Sequence, residues 1–194
     1  MKDQYKSIGN TTEGLFKDKG SRFISYAYPV ESEDEVKEIV TQIKKKYHDA
    51  RHHCYAYRIG VNGEKWRAND DGEPSGSAAR PILGVIDSNE LSDILIVVVR
   101  YFGGIKLGVP GLIHAYKEAS LSALESAKII DKTAYEEIEF EFAYEIMNEV
   151  MKITKNGKVQ IRNMEIGNPC KILLAVPLSL CESVRQSLSD LSRL

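Results

Sequence analysis

The sequence predicts an α+β protein in two domains. Three observations carry this. Strand-like and helix-like hydrophobic periods alternate along the 194 residues. One uninterrupted apolar run, Ile94 to Val99, reads as a buried central strand. A long helical pattern stops near residue 130, and a new alternating strand follows Asp131-Lys132-Thr133. The boundary is therefore set with residues 1–132 as the first domain and 133–194 as the second, and the length suits one large or two small domains.

The first domain is expected to open with a strand, roughly Ser21 to Val30. A helix follows from Ser32, which can cap it, with Glu35 completing a capping box and Glu33 and Asp34 suiting the positive end. Val36, Ile39, Val40, Ile43 and Tyr47 form its apolar face, and Lys44, Lys45 and Lys46 sit at its negative end, which explains the lysine run structurally. Asn62-Gly63 between two β-prone runs, Cys54 to Val61 and Glu64 to Ala68, signals a hairpin in which both turn residues take positive φ. A polar loop, residues 69–75, leads to a short helix through Ala78, Ala79, Ile82 and Leu83. After the central strand a glycine-rich loop precedes a long helix opening at Pro110, a favoured first helical position. Its small residues, Ala119, Ala123 and Ala127, allow close packing on a sheet.

The second domain reads β-α-β-β-α. Ile138, Phe140 and Phe142 alternate with Glu137, Glu139 and Glu141, the pattern of a half-buried strand. Met147, Val150 and Met151 make a helical stripe, which reads as core, ended by Asn156-Gly157. Val159 to Ile166 and Ile172 to Val176 are the next strands, and Ser179 with Glu182 offers a capping box for the last helix. This order suggests a ferredoxin-like module lacking a clear final strand.

The balance of 26 Lys and Arg against 28 Asp and Glu, net −2 with a pI near 6.1, excludes nucleic-acid binding that relies on whole-chain charge, though not a local basic site. No apolar run approaches the ~20 residues of a membrane span, and the N-terminal residues lack the apolar stretch of a signal peptide. No membrane partner is expected. Cys54, Cys170 and Cys181 are too scattered for a disulfide framework or a CxxC pair, so the plain reading is a cytoplasmic protein with reduced thiols. The closing Ser192-Arg193-Leu194 resembles a peroxisomal tripeptide and reads as a chance ending.

Two loops and one short run carry the chemical signal. Residues 99–112 link the buried strand to a helix start, where free N–H groups meet anions. Gly103, Gly104 and Gly108 let the main chain approach a ligand. Arg100 and Lys106 add charge, and Tyr101 and Phe102 offer stacking surfaces. The expectation is an anion- or RNA-binding turn with its amides and both cations facing outward; neither a P-loop nor GxGxxG is present. The alternative is a strand-to-helix turn whose glycines serve packing alone. In the other loop, Asp70, Asp71 and Glu73 would repel an anion, but with Ser75, Ser77 and Arg80 they could support Mg²⁺ binding or acid–base chemistry. Taken singly, each carboxylate reads first as part of an acidic turn bonding nearby amides. Arg51 precedes His52 and His53, which point to opposite faces of a strand and cannot easily share a metal. With Cys54 they form no recognised ligand spacing, and a Cys–His nucleophilic pair has no specific support. No metal, cofactor or catalytic residue is assigned.

These runs resemble the Impact/YigZ family: Asp70-Asp71-Gly72-Glu73-Pro74-Ser75-Gly76, Arg80-Pro81-Ile82-Leu83, Arg100-Tyr101-Phe102-Gly103-Gly104-Ile105-Lys106-Leu107-Gly108 and His52-His53-Cys54-Tyr55-Ala56. The motifs cover roughly residues 15–130. The resemblance implies a first domain similar to domain 2 of ribosomal protein S5 and a ferredoxin-like second domain similar to a terminal domain of translocation factors. It implies a regulatory protein of translation with no assigned catalytic residue; the eukaryotic relative acts through protein partners upstream of an amino-acid-starvation kinase. The family pattern often has Thr and Gly where Ser77 and Ala79 stand, Thr-Gly-Gly at Val109-Pro110-Gly111, and Arg at His114, departures that should weaken an anion site.

The leading expectation is thus a cytoplasmic binding protein of the translation machinery. Its glycine-rich edge would meet RNA, the ribosome or a ribosome-associated protein, with Arg51 and Arg80 nearby. The alternative is a metal-assisted hydrolase or phosphoryl-transfer enzyme using Asp70, Asp71 and a histidine. A third is a protein-interaction module working through the acidic strand Glu136–Glu141. Oligomeric state is not legible.

Overall fold

The computed structural model describes residues 3–155 and 157–192. Asn156, the expected stop of the fourth helix, lies outside the described residues, as do Met1-Lys2 and the Arg193-Leu194 of the closing tripeptide. The chain divides into two compact units, one of residues 5–132 and one of residues 133–192 together with residues 3 and 4. Each unit has its own core.

The larger unit is built on a five-stranded sheet of β2 (Thr12–Asp18), β3 (Ser21–Pro29), β6 (Ile94–Tyr101), β4 (His52–Ile59) and β5 (Lys65–Asn69), in that spatial order. Every neighbouring pair is antiparallel. Two helices, α2 (Ala79–Ser88) and α3 (Gly108–Leu124), pack on one face. One helix, α1 (Glu33–Lys46), covers the other. β6 is central and fully buried to Arg100, so its even residues Ile94, Ile96 and Val98 enter the α2/α3 core and its odd residues Leu95, Val97 and Val99 the α1 core. β1 (Gln4–Ile8) pairs with β7 (Ile129–Thr133) in a separate two-stranded sheet.

Two N-terminal strands precede the strand from which the sequence reading starts. β2 alternates inward Thr12, Gly14 and Phe16 with outward Glu13, Leu15 and Lys17. It meets β3 through a tight turn in which Lys19 and Gly20 both take positive φ. β2 passes so close to α3 that a Cβ on Gly14 would lie 2.4 Å from the Ala123 amide nitrogen. The Asn62-Gly63 hairpin forms, but with a longer connection between Ile59 and Lys65. Gly60 and Gly63 take positive φ and Asn62 does not, and the Gly63 amide donates to the Gly60 carbonyl at 2.9 Å.

Ser32 caps α1, its hydroxyl accepting from the Glu35 amide at 3.2 Å, while the Glu35 carboxylate accepts from the Glu31 amide rather than from Ser32. α3 begins at Gly108, two residues before the expected Pro110.

The smaller unit contains β8 (Tyr135–Phe142), α4 (Met147–Thr154), β9 (Gln160–Glu165), β10 (Cys170–Pro177) and α5 (Cys181–Leu191). Its antiparallel sheet runs β8-β10-β9, the split β-α-β order expected, with no fourth strand among the described residues. Ile138, Phe142, Val150, Ile172, Leu174, Val184 and Leu188 fill its core, while Glu137, Glu139 and Glu141 stay exposed. The expected Ser179–Glu182 capping box does not form. A short 3₁₀ turn, Leu178–Leu180, carries the chain into α5, and the Ser179 hydroxyl instead donates to the Asp3 carboxylate.

Candidate anion-binding cleft

The end of β6 and the start of α3 form one wall of a cleft of about 810 Å³ in the larger unit. β6 supplies Arg100 and Tyr101, and Phe102 follows; the α3 entry supplies Lys106, Leu107, Gly108, Val109 and Leu112. The chain entering β4 supplies Asp49, Ala50, Arg51 and His52, and the loop before α2 supplies Glu73 and Pro74. Three stretches far apart in sequence therefore share one concave surface.

Arg100 continues the inward stripe of Ile94, Ile96 and Val98, and its register partners are Phe23 on β3 and His52 on β4. The side chain is 8% exposed. Its Nη1 donates to Glu73 Oε1 at 2.6 Å, and the same oxygen accepts from the Tyr116 hydroxyl at 2.8 Å. The guanidinium carbon lies 5.5 Å from the Phe23 ring centre and 5.8 Å from that of Phe102. Arg100 Nε is buried with no hydrogen-bond partner. The expectation of two outward cations is thus corrected for one of them. Arg100 sits in the cleft floor because strand alternation turns it inward, where Glu73 neutralises it; Lys106 is exposed.

The amides of the turn also divide. A Cβ on Gly103 would come within 1.9 Å of the Gly20 carbonyl carbon, so only glycine fits, and its N–H donates to Ser21 Oγ at 3.1 Å. Gly103 is a packing residue that ties the turn to the β2–β3 hairpin. Gly104 is exposed and does not line the cleft. Gly108 opens α3 at φ +71° and lines it. No side chain caps α3, and because Pro110 has no N–H, the Gly108 and Val109 amides are the first-turn donors beside the cleft, with no acceptor for them among the described residues.

The acidic loop has an internal task. Asp70 Oδ1 accepts from the amides of Ala78 and Ala79 at 3.0 and 2.8 Å, and Oδ2 accepts from Gly76 at 2.8 Å, so this carboxylate holds the start of α2. Asp71, at φ +41°, accepts from Lys44 Nζ at 2.8 Å and the His53 amide at 2.7 Å, and its carbonyl lies 2.9 Å from His52 Nδ1. Burial pushes the Asp71 carboxyl up, but Lys44 and the His53 amide outweigh it and hold it below its ordinary value. Ser77 is buried and donates to the Pro74 carbonyl at 2.6 Å, whereas Ser75 and Arg80 are exposed away from the cleft.

The histidines do face opposite ways. His53 is buried with Nε2 3.0 Å from the Tyr47 carbonyl, while half-buried His52 lines the cleft. Cys54 is fully buried, its Sγ 3.0 Å from the Asp70 carbonyl oxygen and 3.3 Å from the Tyr116 hydroxyl. Burial pushes its thiol well above the ordinary value, away from the thiolate form that nucleophilic attack requires. Among the described residues no group of three or more His, Cys, Asp or Glu could hold a metal ion, and no helix is long and apolar enough to cross a membrane.

The model of the Impact N-terminal domain matches residues 19–124, which contain every residue of the cleft. This chain belongs to the Impact family. YvyE of Bacillus subtilis (strain 168), an IMPACT family member, is 46% identical over 132 residues; the match covers 68% of this chain and 61% of YvyE, less than two thirds of that relative. YigZ of Escherichia coli (strain K12), another IMPACT family member, is 30% identical over 177 residues, covering 90% of this chain and 87% of YigZ. The crystal structure of a hypothetical protein superposes with a TM-score of 0.74 at 27% identity, over 100% of this chain and 95% of that one.

In this Impact-family chain the departures at α3 have visible consequences. Pro110 carries no N–H, so the first turn of α3 has one donor fewer. His114 turns to Phe16, ring centres 5.7 Å apart, and to Glu118, away from the cleft. Sequence reasoning did not find Asp49, Ala50, Leu107, Val109 or Leu112 as cleft residues. The last three lie on the entry to a helix already recognised, so their spacing next to Lys106 was the available signal. Asp49 and Ala50 carried none.

Proposed function

We propose that this chain is a cytoplasmic, translation-associated binding protein that uses the cleft to hold an anionic part of its partner, whether RNA, the ribosome or a ribosome-associated protein. What supports the reading is one juxtaposition: Arg51, Lys106 and the uncapped start of α3 border a cleft whose floor holds Arg100. A helix start of this kind attracts anions, and exposed cations beside it add to the field. Family membership supports the translation context, since the resemblance implies a regulatory rather than a catalytic role. The near-neutral chain makes the binding modest and salt-sensitive, because few phosphates are neutralised.

The test is co-sedimentation with ribosomes and retention of total RNA at low salt, comparing the parent with Arg51→Ala/Lys106→Ala. Both side chains are exposed, so the fold is expected to persist. Binding by the parent that falls about tenfold in the double variant and weakens with added salt is the expected result. Equal binding by parent and variant would remove the cleft from the function.

A further inference from the structure

We infer that the cleft accepts a nucleoside monophosphate unit, its phosphate at the start of α3 beside Lys106 and its base against the Phe102 ring. This deepens the binding role proposed above and rests on the cleft being the face that binds. The volume of about 810 Å³ lies within the ~300–1,000 Å³ typical of small-molecule sites, and the lining is split by chemistry. Its polar part is the start of α3, Lys106 and Arg100. Oriented N–H groups with adjacent cations suit a compact multivalent anion, which a phosphate monoester is.

Arg100 supplies an independent pointer. Its side chain is more than nine-tenths buried against the cleft, Glu73 takes only Nη1, and Nε has no acceptor. Glu73 thus meets only part of the guanidinium's donor capacity, and Arg100 lines the cleft. Apolar side chains share the lining with these polar groups. Phe102 is 55% exposed and Val109 48%, with Pro74 and Leu107 beside them. An exposed aromatic next to a cation and a phosphate-type helix start is the combination that holds a base and its phosphate together. The acids of the lining do not outweigh its cations: Glu73 pairs with Arg100, and Asp49 stands against Arg51 and Lys106, which leaves the lining net positive.

The experiment is calorimetric titration of the full chain with each of the four ribonucleoside 5′-monophosphates, with the nucleosides, with inorganic phosphate and with a short single-stranded RNA. At least one monophosphate should bind, with its nucleoside and inorganic phosphate each about tenfold weaker or worse. Lys106→Glu and Phe102→Ala, both exposed positions, should each weaken it by about tenfold while circular dichroism stays unchanged. RNA binding more tightly than any free monophosphate would identify an unpaired RNA residue as the source, and the reverse order a free nucleotide; either supports the assignment. No binding of any monophosphate or RNA, or binding indifferent to both substitutions, overturns it. Ribosome co-sedimentation that still depends on Arg51 and Lys106 would then leave the binding role standing without the nucleotide. Monophosphate binding without co-sedimentation would do the opposite.

Discussion

Glu73 and Arg100 are both almost wholly out of water, with side chains 3% and 8% exposed, and they lie 27 positions apart in the chain. Such a pair is costly to break from one side, because the survivor is a buried charge without a counterion. Arg100→Ala should therefore destabilise the larger unit by about 3–5 kcal/mol in urea unfolding. Glu73→Gln/Arg100→Met, which removes both charges and keeps an acceptor for Tyr116, should recover most of that loss; a double variant as unstable as the single would show that the charges themselves hold the cleft floor. Half of this was legible in the sequence. Counting back from Arg100 through Val98, Ile96 and Ile94 puts all four on one strand face, so its inward direction was available from period alone. Its counterion was not, since nothing local links the acidic loop to the end of β6.

Asp70 shows how a motif that looks chemical can belong to an element. It accepts three amides across the turn before α2, where Ala78 has no capping side chain. Asp70→Ala should lower stability by about 1–2 kcal/mol, seen as a shifted thermal midpoint, while ligand titrations of the cleft change little. Asp93 plays a similar part for the β1 and β7 region. Its carboxylate meets Tyr5 Oη at 2.6 Å, Lys132 Nζ at 2.6 Å and the Gly60 amide at 2.9 Å. Burial pushes this carboxyl up, but Lys132, Tyr5 and Gly60 together bring it below its ordinary value. A depressed carboxyl stabilises the fold above the unfolded-state value and loses that contribution as pH falls through the folded one, so the loss belongs below about pH 4. Asp93→Asn should cost about 1–3 kcal/mol at pH 7 and much less near pH 3, by urea unfolding at the two values. At this scale the long patterns were readable: α1, β6, α3 and β8 stand where periodicity puts them. β1 and β2 were not, because five- and seven-residue segments of mostly polar residues show no clear apolar period, and their partners, β7 for β1 and β3 for β2, are not apparent from the segments themselves.

The two units have separate cores, so the cleft and its supporting sheet need nothing from residues beyond the β7 end. A fragment of residues 1–134 should fold cooperatively, with a dispersed amide spectrum, and keep the ligand affinity of the whole chain within about twofold. A molten fragment would mean that the second unit supports the first. In that second unit, β8 pairs on one side only among the described residues, leaving a row of backbone donors and acceptors along its other flank. Rows of that sort recruit copies of themselves, and charges at alternate positions make such stacking repulsive. Glu137, Glu139 and Glu141 are exposed on this strand and placed to oppose such stacking. Exchanging all three for threonine would keep the strand and remove the guard, so light scattering should report growing aggregates at neutral pH where the parent stays clear.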